Sequence, residues 1–263
     1  MIRALLIGSL ERDSAVVADG SVNVACAPDV PEAIRMLETG AAPSPELVVL
    51  AESRGGEFSA TSLALVRKQV PLARVWRMLG TWCEGESRSG RPPAACLATY
   101  WHQWEARMAR ELERVRQGVN PSWTLPVTAT PDERMLASEG TFDRKRSGTI
   151  AICAASAAAA EALEDLCRAG GFDTLVAADE GRFRLARRGA VLWDTTIGRM
   201  TDERRVAELR SRAGGAPVLA IVGFPRAGDV ELARRLGIAA VISKPFLAGD
   251  LMWHLDRTIP PAG

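Results

Sequence analysis

The chain has 263 residues, of which 47% are hydrophobic and 25% charged, with a formal net charge of +1. That length can bury two cores of ordinary size. The near-neutral charge excludes a general nucleic-acid or membrane-surface role, which needs a basic excess. No apolar run approaches the roughly 20 residues of a membrane span, and the run at residues 3–8 is too short for a signal sequence. Five cysteines (Cys26, Cys83, Cys96, Cys153, Cys167) are scattered without CxxC spacing, the usage of a reduced, cytoplasmic chain.

Arg3–Gly8 reads as a first strand. Val22–Cys26 is a second, leading through Pro28-Asp29 into a helix over Val30–Leu37, with Asp29 as N-cap and Pro31 in the first turn. Glu46–Ala51 is a continuous apolar run, the pattern of a parallel strand covered on both faces. Residues 60–69 read as helix and Ala73–Leu79 as strand. There the alternation breaks. Gly80–Pro93 has loop chemistry, Cys96–Tyr100 returns as a short strand, and Trp104, Met108, Leu112 and Val115 recur at helical intervals over Gln103–Arg116. From Gly118 to Gly148, prolines 121, 126 and 131, Ser/Thr and the basic run Arg144-Lys145-Arg146 read as a linker, the basic run solvated, with Trp123 and Leu125 able to pack on a domain.

The second half repeats the rhythm. Thr149–Cys153 is strand and Ala157–Arg168 an alanine-rich helix ended by Gly170-Gly171. Asp173–Ala177 is strand, Glu180–Arg187 short helix, and Ala190–Trp193 strand ending at Asp194. A helix over 202–212, strand Pro217–Val222, helix Asp229–Leu236, strand Ala239–Ser243 and a helix over Leu247–Arg257 complete it. The expectation is an α/β chain of two doubly wound, five-stranded parallel sheets in tandem, flavodoxin-like in topology: residues 1–118, a linker over 119–147, and 148–263.

The order Val191-Leu192-Trp193-Asp194, then Pro217–Gly223, Ala233–Ile238 and Lys244-Pro245-Phe246, resembles the receiver domain of two-component response regulators over roughly 148–260. The first half resembles the same family more weakly over 1–118. The resemblance implies a phosphoacceptor at Asp194 and a phosphoryl-pairing lysine at Lys244. Transfer to a carboxylate needs a metal and a cation to neutralise accumulating charge. The acidic pair that would hold Mg²⁺ falls on Ala154-Ala155 and the switch hydroxyl on Val222, so any Mg²⁺ at Asp194 is weakly held, and no cofactor or metal site is expected. In the first half the acidic pair falls on Gly8-Ser9, the acceptor on Ala51 with Glu52 next, and the lysine near Trp101-His102. Both halves read as pseudo-receivers.

The most unusual stretch is 80–104, which crowds tryptophans, opposed charges, Gly and Pro beside the carboxyl edge of the first sheet. Trp82, Glu84, Glu86, Arg88, Arg91, Trp101, His102 and Trp104 form a candidate binding surface there, rich in the residue types of hot spots. Its structural alternative is a local core of Trp76, Trp82, Trp101 and Trp104 beneath an ion network. Cys83, His102 and Glu84 or Glu86 also have the residue types of a thiol hydrolase, and Arg88 and Arg91 those of a small anion pocket. His254, in the last helix, reads as partly exposed. The expected role is a non-catalytic adaptor in phosphorelay signalling. Its partner would be a signalling protein or the other domain of the same chain, and neither nucleic acid nor membrane.

Overall fold

The computed structural model describes residues 1–9, 21–83, 96–126, 128–130, 133–134, 136–137, 146–177, 185 and 188–259. The chain divides into two compact units, Met1–Ser138 and Glu139–Gly263.

The first unit holds strands β1 (Ile2–Ile7), β2 (Val22–Ala27), β3 (Leu47–Arg54), β4 (Arg74–Trp82) and β5 (Leu97–Tyr100), with helices α1 (Val30–Glu38), α2 (Ala60–Gln69) and α3 (Trp101–Arg116). The five strands are parallel in the order β2-β1-β3-β4-β5. The second unit repeats the plan with β6 (Thr149–Cys153), α4 (Ala157–Ala169), β7 (Asp173–Ala177), β8 (Gly189–Asp194), a single turn α5 (Ile197–Met200), α6 (Glu203–Arg212), β9 (Val218–Gly223), α7 (Ala227–Arg235), β10 (Ala240–Lys244) and α8 (Ala248–Thr258). Its order, β10-β9-β8-β6-β7, read from the other edge, is the same 2-1-3-4-5 arrangement. Each unit therefore has the flavodoxin-like doubly wound topology that receiver domains share, and the chain is two receiver-like folds in tandem.

Local chemistry explains the element starts. Asp29 caps α1 by accepting from Glu32 N at 2.9 Å, Ser59 caps α2 from Ser62 N at 3.1 Å, and Ser156 caps α4 from Ala159 N at 3.2 Å. α3 differs: it begins straight from β5 with Tyr100 at its N-cap and no side-chain cap. It starts two residues before the expected Gln103, so Trp101 and His102 form its first turn. β3 and β4 also run three residues past their expected ends, because Arg54 pairs with Trp82 in register after an irregularity at Glu52–Arg54. Most of the helix expected over Glu180–Arg187 lies outside the described residues.

In sheet one, Leu5, Ile7, Val48, Leu50 and Val75 pack with α1 and α2 through Ala33, Leu63 and Val66. The alternate residues Ala4, Leu47, Val49, Trp76 and Met78 face Trp104, Met108 and Leu112 of α3. Trp123 joins this second cluster from a 3₁₀ turn, Ser122–Thr124. The buried Glu111 carboxylate holds that turn, accepting from Ser122 N and Ser122 Oγ, each at 2.6 Å. The first part of the expected linker is thus packed on the first unit. Arg146 is a correction: instead of a solvated basic run it donates to both oxygens of Asp256 at 2.8 and 2.9 Å and to Gly170 O at 3.2 Å, within the second unit. Arg144 and Lys145 lie outside the described residues. No helix among the described residues is long and apolar enough to cross a membrane.

Candidate functional site

Ligands of open parallel sheets sit beyond the carboxyl ends of the strands. In the second unit that edge carries Asp194, the last residue of β8, and Lys244, the last of β10, with β9 between them. Lys244 Nζ donates to Asp194 Oδ1, closing an ion pair across the top of β9. The Asp194 side chain is 10% exposed and that of Lys244 43%, so the carboxylate is covered while the ammonium reaches solvent. Val222, at the switch position, is fully buried and carries no donor. Ala154 and Ala155 stand where β6 ends and supply no oxygen ligand from their side chains.

Mg²⁺ favours several oxygen ligands in near-octahedral geometry. Here one carboxylate is available and it is already neutralised by Lys244. Among the described residues, no three His, Cys, Asp or Glu side chains converge on a common point. The donor set does not fit the metal. Two further features surround Asp194. Thr195 is buried with no partner for its Oγ1 among the described residues, and Trp193 lies in the core with the Arg199 guanidinium 6.0 Å from its ring centroid.

In the first unit the corresponding edge is filled. Gly8 follows β1 at φ +92°, and a Cβ placed there would lie 2.6 Å from Ala51 O and 3.2 Å from Phe58 Cζ. No carboxylate can be built at this position without moving backbone. Ala51 occupies the acceptor position and is buried. Glu52, the next residue, turns to the opposite face and pairs with Arg77 of β4. Arg77 Nε and Nη2 donate to Glu52 Oε2 at 2.7 and 2.5 Å, and Gly56 N donates to Oε1 at 2.9 Å. Glu52 is 1% exposed and Arg77 2%. Cys83, also buried, donates its thiol to Glu52 O at 3.3 Å.

The aromatic stretch separates into distinct environments. Trp82, at the end of β4, is 70% exposed. Trp101 is partly buried against the α3-side core. Trp104 is not on a surface at all: it is 1% exposed and packs edge-on against Trp76 with centroids 5.0 Å apart. Trp76 also meets Trp123 at 5.7 Å, so the expected core gains Trp123 and excludes Trp82. Such pairs contribute about 0.5–1.5 kcal/mol beyond area burial. His102 stacks on Tyr100 at 5.6 Å, and burial lowers its imidazole from 6.5 to about 4. Among the described residues neither ring nitrogen has a hydrogen-bond partner, so Cys83 and His102 are not hydrogen-bonded to each other. Glu84, Glu86, Arg88 and Arg91 lie outside the described residues. His254 is partly buried, and desolvation lowers it too, to about 4.

The Glu52–Arg77 pair was not singled out by sequence reasoning. Its signal is present: Arg77 is a lone charge inside the apolar run Val75–Leu79, and Glu52 directly follows Leu47–Ala51. Charges buried inside parallel strands require a partner.

No known family profile matches the chain, and no curated protein matches it. Solved structures similar to it include a pilus assembly protein CpaE from Caulobacter crescentus, at 13% identity and TM-score 0.36 over 43% of this chain and 93% of that one. A response regulator protein from Burkholderia multivorans is similar at 23% identity and TM-score 0.33, over 44% of this chain and 98% of its own. A protein described as a two-component system response regulator/GGDEF domain protein is similar over 98% of this chain and 99% of its own, at 9% identity and TM-score 0.34.

Proposed function

We propose that this protein is a cytoplasmic pseudo-receiver adaptor: two receiver-like folds that work in two-component signalling through protein contacts and transfer no phosphoryl group. The observation that carries this reading is that each acceptor region lacks the side chains phosphoryl transfer needs. In the second unit Lys244 pairs with Asp194, Ala154 and Ala155 stand at the acidic-pair positions, and Val222 stands at the switch position. In the first, Gly8 leaves no room for a carboxylate and buried Ala51 stands at the acceptor position.

Phosphoryl transfer from a small acyl phosphate leaves an added phosphoryl group on the protein, so intact-mass spectrometry after incubation with acetyl phosphate and Mg²⁺ tests the reading. The expected spectrum is unmodified protein. Stoichiometric phosphorylation that disappears in Asp194→Asn overturns it. Trp82 is the described residue best placed to meet a partner, being a large apolar side chain 70% exposed at the carboxyl edge.

A further inference from the structure

The first unit also carries a cavity at the opposite end of its sheet. After Trp123 the chain crosses beneath the amino ends of β4 and β5, and between it and the sheet lies a cavity of about 100 Å³ lined by Arg74, Cys96, Leu97, Trp123, Leu125 and Arg134. That volume corresponds to roughly three waters' share of the liquid. Arg74 Nη2 donates to Thr124 O at 3.3 Å and Arg134 Nη2 to Pro126 O at 2.7 Å. One nitrogen of each guanidinium is thereby fixed to backbone, which orients the rest of each fork.

The charge around the cavity is unbalanced. Neither guanidinium has a carboxylate within ion-pairing distance among the described residues, in contrast to Arg3, Arg35, Arg77, Arg116 and Arg146, all of which do. The neighbouring Glu133 carboxylate accepts from Thr130 N at 2.7 Å and Thr130 Oγ1 at 3.1 Å, which lower it more than the Arg134 charge does, and it forms no ion pair with Arg134. Cys96 does not supply the missing charge either. Burial raises its thiol above the ordinary range, Arg67 and Arg77 offset this only in part, and its sulfur accepts from Arg67 Nη2 at 3.3 Å. Two half-buried, oriented, always-charged forks on a cavity walled by indole and leucine match an oxyanion with a small apolar body.

We propose that this cavity binds a small oxyanion, either the carboxylate of a short organic acid or a phosphate, held by Arg74 and Arg134 against Trp123. The test is calorimetric titration of the full chain with propionate and, separately, with inorganic phosphate. Saturable one-to-one binding of either is expected, and which of the two binds more tightly identifies the source of the oxyanion. Arg134→Gln should weaken binding at least tenfold while the chain still melts cooperatively, with only a small shift from the lost bond to Pro126 O. Because Arg74 also anchors Thr124, Arg74→Lys is the matching variant there, keeping charge while losing the fork, and it too should weaken binding. The bound anion should also slow alkylation of Cys96, mapped by peptide mass. Absence of saturable binding by both anions overturns the proposal, as does full affinity in Arg134→Gln.

Discussion

Replacing Arg77 by methionine isolates the buried ion pair beside the first unit's acceptor position. The substitution keeps most of the aliphatic volume but removes the two donors at 2.7 and 2.5 Å from Glu52 Oε2. With Glu52 1% exposed, water cannot replace the lost counter-charge without opening the β3–β4 edge. Breaking such a pair from one side costs about 3–5 kcal/mol. For a unit of 138 residues this lowers its melting temperature by roughly 10–20 °C. Differential scanning calorimetry of the full chain should show a shifted transition for the first unit. The loss should shrink in acid, where the orphaned Glu52 carboxyl can be protonated. The double variant Glu52→Leu/Arg77→Met should recover most of the stability, because an apolar pair of similar volume avoids the desolvation that the ion pair incurs. A loss below about 1 kcal/mol in Arg77→Met, or a double variant no better than the sum of the singles, would refute the idea that this pair is a dry plug.

Two further outcomes are expected. Burial holds His102 at about 4, below its ordinary 6.5, so the folded state binds fewer protons than the unfolded chain between those values. The stability that His102 leaves intact at pH 7 is lost as pH falls from about 6.5 through 4, roughly 2–3 kcal/mol by pH 4.5. Denaturant melts at pH 7 and 4.5 should show this drop in the first unit, and His102→Phe should remove it there, while His254, lowered to about 4 as well, leaves a similar drop in the second unit. Glu111→Ala removes both anchors of Ser122 and should cost about 2–3 kcal/mol. Release of Trp123 from its place against Trp76 should then shift tryptophan emission to the red; unchanged emission would contradict that role for Glu111.

Much of this architecture is legible in the sequence because its causes are local. Asp29 announces α1 through its own capping bond, and Leu47–Leu50 reads as a doubly covered strand because every residue is buried. What escaped depends on distant partners. Gly80-Thr81-Trp82 looks like loop by composition, yet it extends β4 because Arg54 on the neighbouring strand pairs with it. Pro121 and Pro126 make 119–126 look like a spacer in which Trp123 can pack on a domain, but the carboxylate that fixes it, Glu111, lies a helix away and gives no local signal. Arg77 finds its carboxylate 25 residues earlier in the chain, beyond any periodicity. In the stretch 80–104, grouping Trp82, Trp101 and Trp104 as one surface fails because α3 sends Trp104 inward while the end of β4 leaves Trp82 outside. At Asp194 the reverse holds: the end of one strand and the Lys-Pro pair ending another are adjacent in the family pattern, and the fold joins them as that pattern implies.

The central claim is that Asp194 is a closed carboxylate rather than an acceptor. Beryllofluoride with Mg²⁺ mimics a phosphoryl group on such a carboxylate, and amide spectra of the labelled full chain report its arrival residue by residue. The account predicts no saturable shift at Asp194, Thr195, Gly223 or Lys244; saturable shifts centred on those residues and abolished by Asp194→Asn would contradict it.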